Sequence, residues 1–140
     1  MQAGSLTSSD ILYSASGNDI TTYSNTPLVT YGTFNISGNI ITDTGVQNYT
    51  GAVNLAANAV LNASGITFAG TVNGAYNLTL NSSTGAINFD NSVGNSAALG
   101  TILLNNSGGV TFANTLDAAT LNLSGITAGT VALQGNATLT

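Results

Sequence analysis

Apolar and polar residues alternate along most of this chain in short runs separated by Gly and Asn. Ile66-Thr67-Phe68, Ile87-Asn88-Phe89 and Val110-Thr111-Phe112 share one form: aliphatic, polar, aromatic. Four residues beyond each aromatic stands another aliphatic: Val72, Val93 and Leu116. Alternation of period two over so few residues predicts strands with one buried face. Glycine precedes each run, at Gly65, Gly85 and Gly109. One unit upstream, Gly45 introduces Val46, Tyr49 and Val53 with the same four-residue step; one unit downstream, Gly125 introduces Ile126-Thr127-Ala128, a copy without the aromatic.

The spacing of these glycines selects the architecture. Gly45, Gly65 and Gly85 are 20 residues apart, and the next intervals, 24 to Gly109 and 16 to Gly125, restore two periods of 20. A repeat of this length indicates a solenoid. It is too short for a helix pair and suits short strands joined by tight turns. The expected fold is therefore all-β, a parallel β-helix (β-solenoid) with coils of about 20 residues. An antiparallel β-sandwich is the alternative, because alternating strands and Gly/Asn turns also fit it. The return of the glycine register after the unequal intervals favours the solenoid.

Stacked coils turn the pattern into columns. Phe68, Phe89 and Phe112 are expected in one inward column, with Ile66, Ile87, Val110 and Ile126 in a second and Val53, Val72, Val93 and Leu116 in a third. Leu78 with Leu80, Ile102 with Leu104, and Leu121 with Leu123 supply the opposite wall. Each such side chain, fully buried, contributes roughly 1.5–3 kcal/mol. Thr67, Asn88, Thr111 and Thr127 lie between inward residues and face outward, a Thr/Asn ladder along the axis. Asn73-Gly74 is a turn signal, since both residues tolerate positive φ.

Two parts are expected: a divergent segment over residues 1–44 and regular solenoid repeats over 45–140. The first part is rich in Ser, Thr, Asn and Tyr, and Pro27 biases Thr26 to extended geometry. Tyr31-Gly32-Thr33-Phe34-Asn35-Ile36 alternates again and is the candidate for the first regular strand. The segment reads either as atypical coils that cap the stack or as an arm that pairs with a neighbour by strand addition. Thr140 falls inside a repeat, so either further coils follow or subunits stack end to end.

Composition removes several functions. The chain of 140 residues has no Lys, Arg, His, Cys, Trp or Glu; Asp10, Asp19, Asp43, Asp90 and Asp117 give a net charge of −5. Charged residues make up 4% of the chain, against roughly 25% in an ordinary soluble domain. With no cation, phosphate neutralisation is closed to it, so nucleic acid is not an expected partner. Nor is an anionic membrane surface, and no run of about 18 apolar residues offers a spanning helix. The first residues lack the basic and apolar regions of a secretion signal.

Candidate chemistry is sparse, and no enzyme is expected. A Ser or Thr nucleophile has no nitrogen base to activate it, and glycoside cleavage needs paired carboxylates where these aspartates are dispersed. No cofactor or metal is expected either. The Gly-Gly-x-Gly-x-Asp calcium repeat is absent, and Asp90-Asn91 and Gly17-Asn18-Asp19 read as turn residues. Asn-x-Ser/Thr sequons at Asn35, Asn48, Asn62, Asn77, Asn81, Asn105, Asn122 and Asn136 follow from composition. A hydroxyl-rich face suggests ice or glycan binding, but the paired Thr-x-Thr form occurs only at Thr42-Asp43-Thr44 and Thr138-Leu139-Thr140. Tyr13, Tyr23, Tyr31 and Tyr76 are candidates for contact with sugar rings or a partner, with packing over coil ends the plainer reading.

Ile41-Thr42-Asp43-Thr44-Gly45-Val46-Gln47-Asn48-Tyr49-Thr50-Gly51-Ala52-Val53, followed by Ile66-Thr67-Phe68-Ala69-Gly70-Thr71-Val72-Asn73-Gly74, resembles the repeats of giant bacterial surface adhesins, the filamentous-haemagglutinin-like and related β-strand-repeat proteins. The resemblance covers roughly residues 41–140. It implies a right-handed helix, an extracellular or cell-surface location, and a role in adhesion, biofilm matrix or fibre formation. The expected function is thus a non-catalytic structural solenoid, a segment or self-assembling subunit of a surface fibre. The alternative is an adhesin module that recognises glycan or host surface. The expected partners are further copies of the chain, joined through the solenoid ends or the N-terminal arm.

Overall fold

The computed structural model describes residues 6–8, 12–13, 20–21, 28–30, 32–41, 45–105 and 108–140, with side chains described from Leu28 onward. The strands follow one another in coils. Leu6–Ser8 (β1), Leu12–Tyr13 (β2) and Ile20–Thr21 (β3) are followed by Leu28–Thr30 (β4), Phe34–Ile36 (β5) and Ile40–Ile41 (β6). Next come Gln47–Tyr49 (β7), Val53–Leu55 (β8) and Ala59–Ala63 (β9), then Ile66–Phe68 (β10), Val72–Asn73 (β11) and Leu78–Ser82 (β12). The last three coils hold Ile87–Phe89 (β13) with Leu99–Asn105 (β14), Val110–Phe112 (β15) with Leu116–Gly125 (β16), and Val131–Leu133 (β17) with Ala137–Leu139 (β18).

Among the described residues every strand pairs with the strand one coil away, and every pairing is parallel. The first sheet runs β1-β4-β7-β10-β13-β15-β17, the second β11-β8-β5-β2, and the third β18-β16-β14-β12-β9-β6-β3. The second wall continues through single bridges from Val72 to Val93 and from Val93 to Leu116. Beyond that point β14 and β16 bend round the corner instead of breaking, which is why one long strand replaces two short ones. Such pairing excludes the sandwich, whose neighbours would be antiparallel. The fold is a β-solenoid.

The strands of residues 1–44 take their places in the same three sheets. β1 pairs with β4, β2 with β5 and β3 with β6, each in parallel register. Phe34–Ile36 forms a strand, as its alternation suggests; Tyr31 lies outside the described residues.

One core runs through the stack. Leu28, Phe34, Ile36 and Ile40 are buried at its lower end and Val110, Phe112, Leu116 and Ala118 at its upper end. Successive aromatic rings lie face to face within it. Tyr49 and Phe68 have centroids 5.0 Å apart, Phe68 and Phe89 4.9 Å, and Phe89 and Phe112 4.6 Å, all nearly parallel. Parallel strands hold successive coils about 4.8 Å apart, so identical side chains in one column meet at van der Waals distance.

The glycines do not mark the repeat. Equivalent positions of the first wall are Leu28, Gln47, Ile66, Ile87, Val110 and Val131, separated by 19, 19, 21, 23 and 21 residues. Gly65 therefore sits beside Val46, and Gly109 beside Ala86. Buried columns set the register, and turns absorb the differences in length. Some glycines are fixed by contact instead. A Cβ on Gly70 would lie 2.3 Å from the carbonyl oxygen of Gly51, and one on Gly51 would lie 1.8 Å from that of Gly32. This corner stacks backbone directly on backbone.

Candidate functional site

Outward-facing side chains of each wall line up as strictly as the inward ones. On the first wall, Asn48, Thr67, Asn88 and Thr111 are mutual register partners, with Val29 below them and Ala132 above. Small residues flank this column, including Gly65 on one side and Ala69 on the other. On the third wall, Asn81 Nδ2 donates to Asn62 Oδ1 at 2.5 Å and Asn105 Nδ2 donates to Asn81 Oδ1 at 2.8 Å. Each amide presents one donor and one acceptor along the axis, so the ladder propagates itself. On the second wall Asn54 Nδ2 donates to Asn35 Oδ1 at 3.3 Å, and Asn54 and Asn73 are register partners.

A second set of asparagines ties turns together. The backbone N–H of Val60 donates to Asn39 Oδ1 at 3.1 Å, that of Asn77 to Asn58 Oδ1 at 2.9 Å, and that of Thr101 to Asn77 Oδ1 at 2.7 Å. In each case an asparagine just before a third-wall strand accepts from the coil above. Asn73 Oδ1 accepts from the N–H of Ser96 at 2.9 Å, securing the long excursion between Val93 and β14. Gly74 beside it has φ of 126°, the positive value the Asn-Gly pair suggests.

Among the predicted core residues, Ile66, Phe68, Val72, Ile87, Phe89, Val93, Val110, Phe112 and Leu116 are buried. The register places them in the columns expected: Ile66, Ile87 and Val110 in one, Phe68, Phe89 and Phe112 in another. Val72, Val93 and Leu116 follow one another in a third. Two assignments need correction. Ile126 does not continue the Ile/Val column; Val131 does, paired with Val110. Likewise Thr127 does not continue the outward ladder, whose next member is Ala132, paired with Thr111. Both errors come from reading Gly125 as the start of a coil. Gly125 instead ends β16, opposite Asn105, after a register shift in the pairing of β14 with β16. Ile126 is half-buried against the top of the core, and Thr127 is exposed.

A buried polar layer escaped the pattern. Val46 is 43% exposed, whereas Gln47 is fully buried in the position that Ile66 occupies one coil above. Parity explains it. Val46 and Tyr49 are three residues apart and cannot share a strand face. The large Tyr49 ring goes inward onto Phe68 and carries Gln47 in with it. The Gln47 amide then crosses the core, Nε2 donating to the Ile40 and Asn62 carbonyl oxygens at 3.0 Å each. Tyr49 OH donates to Gln47 Oε1 at 2.8 Å. Desolvation holds the Tyr49 phenol well above its usual pKa. Beneath Tyr49 lies Thr30, whose buried Oγ1 has no hydrogen-bond partner.

Asp90 is exposed beside the first-wall strand β13, and Asp117 is half-buried in β16. Asp10, Asp19 and Asp43 lie outside the described residues, as do Tyr23 and Tyr31. Tyr76 is 41% exposed. Among the described residues no three His, Cys, Asp or Glu gather into a metal-binding group, and no helix is long and apolar enough to cross a membrane. Most side-chain hydrogen bonds of the described residues run to the coil above or below, as in the Asn62-Asn81-Asn105 ladder.

Comparison with protein-family models, curated proteins and solved structures finds no match.

Proposed function

We propose that this chain is a structural β-solenoid, a segment or self-assembling subunit of a bacterial surface fibre or biofilm matrix, and that it works without catalysis. One observation carries the reading: buried and outward columns alike run along the axis, so the chain's polar groups serve the stack. Asn62, Asn81 and Asn105 bond to one another, while Asn39, Asn58 and Asn77 hold backbone of the next coil. The resemblance of residues 41–140 to surface-adhesin repeats supports the extracellular placement. Negative-stain microscopy of the purified chain over a concentration series tests the self-assembling form. Thin fibres of constant width are the expected result, and dispersed monomers at every concentration would overturn it.

A second reading is recognition of a glycan or host surface. It is favoured by the column Asn48, Thr67, Asn88 and Thr111, which the register sets in one line of amides and hydroxyls on the first wall. A glycan array should then give hits that Asn88→Arg removes. An array without hits sinks this reading.

A further inference from the structure

The buried layer around Gln47 divides the stack unevenly. Above it, Gln47 is the register partner of Ile66 and Tyr49 stacks flat on Phe68. From β10 upward each inward register pair of the first wall is apolar on apolar: Ile66 with Ile87, and Phe68 with Phe89. Below it, the inward register partner of Gln47 is Leu28 and that of Tyr49 is Thr30. The column of parallel rings also ends here. Phe34 reaches Tyr49 only from the neighbouring wall, tilted by 32° with centroids 5.5 Å apart. Two buried hydroxyls, Thr30 Oγ1 and Ser37 Oγ, have no hydrogen-bond partner, and both belong to the coil beneath the layer. A buried polar group without a partner raises the free energy of the closed state alone, because opening lets water satisfy it.

The backbone ladder across the same step is intact. Leu28 N–H donates to the Val46 oxygen at 2.9 Å, Thr50 N–H to the Thr30 oxygen at 3.1 Å, and Thr50 Oγ1 also donates to the Thr30 oxygen. Side chains tie the step too, Gln47 Nε2 donating to the Ile40 oxygen and Asn54 Nδ2 to Asn35 Oδ1. The weakness is therefore confined to the two unpartnered hydroxyls and the tilted ring contact, and the step can close again in register.

We propose that the junction between β4 and β7 is a built-in opening boundary. The coil of β4, β5 and β6 detaches there as a unit and exposes the lower edge of β7, while the coils from β10 upward stay closed. In a quasi-one-dimensional stack each coil is held by its neighbours, so one weak interface sets where the stack parts.

Hydrogen exchange read by mass spectrometry on the intact chain tests this. Amides of β4 and β5 should exchange together and about a hundredfold faster than those of β10 and β13, with the step in protection falling at β7. Thr30→Val keeps the shape and removes the unpartnered hydroxyl. It should slow exchange in β4 and β5 about tenfold and leave β10 and β13 unchanged. Ser37→Ala, which removes the other unpartnered hydroxyl, should move β4 and β5 in the same direction. A gradual decline of protection towards the N-terminus, indifferent to both variants, would be ordinary fraying and would overturn the proposal. Equal protection of β4 and β10 in the unaltered chain would overturn it as well.

Discussion

Neighbouring coils of this stack solve the same geometric problem with different side chains. One turns Ile66 and Phe68 inward; the coil below turns in Gln47 and Tyr49 at the same positions. All four are buried. In the upper coil, burial follows directly from apolar surface leaving water. In the lower coil the aromatic ring supplies that drive, and the glutamine follows by parity. Its amide is tolerable because Ile40, Asn62 and Tyr49 supply two acceptors and a donor. Comparing the coils shows that a column fixes which positions face in, and hydrogen-bond partners decide whether a polar residue can stand there.

The largest expected break comes from emptying the upper column. Phe68→Ala removes a ring stacked on Tyr49 and Phe89 together and should cost about 3–5 kcal/mol, measured by denaturant unfolding. Backbone stacking comes next. Gly70→Ala puts a methyl into the Gly51 carbonyl and should cost about 1–3 kcal/mol, more than the same change at Gly65, where a Cβ meets nothing nearer than 3.5 Å.

The polar layer gives a smaller and more specific effect. Tyr49→Phe keeps the ring and leaves Gln47 Oε1 without its donor, so about 1–2 kcal/mol should be lost. It should also alter the response to alkali. Because folding holds the Tyr49 phenol above its usual pKa, the folded state keeps a proton that the unfolded state releases above about pH 10. Stability should thus be level through neutral pH and fall above about pH 10, with a shallower fall in Tyr49→Phe. Smallest of all is Val46→Ser. An aliphatic residue next to a strand would be expected to matter, yet an exposed Val46 predicts a change within about 0.5 kcal/mol.

Much of this contrast was legible in the sequence, and the part that was not has a physical cause. Ile-x-Phe followed four residues later by Val or Leu located the inward columns from Ile66 to Leu116, because a repeated apolar pattern maps onto a repeated wall. Glycine spacing gave the right order of period but the wrong phase. Gly51 and Gly70 are required by backbone contact at a corner, whereas Gly125 ends a long strand and misplaced Ile126 and Thr127. Gln47 was hidden because a pattern of hydrophobic positions favours Val46; only the parity of Tyr49 signalled it. The amide ladders were partly visible as outward positions. Their hydrogen bonds depend on which Asn stands above which, and that register is set by the buried columns across turns of unequal length, which hide it in the sequence.

A pair of cysteines tests the stack most directly, since the natural chain contains none. Thr67 and Asn88 are register partners on adjacent strands, and strands about 4.8 Å apart lie within the Cα separations a disulfide spans. Thr67 and Thr111 are two coils apart, about 9.5 Å, beyond that reach. Mild oxidation should close an intramolecular disulfide in Thr67→Cys with Asn88→Cys and none in Thr67→Cys with Thr111→Cys. A disulfide in the second variant and not in the first would contradict the parallel coil-on-coil register on which the whole account stands.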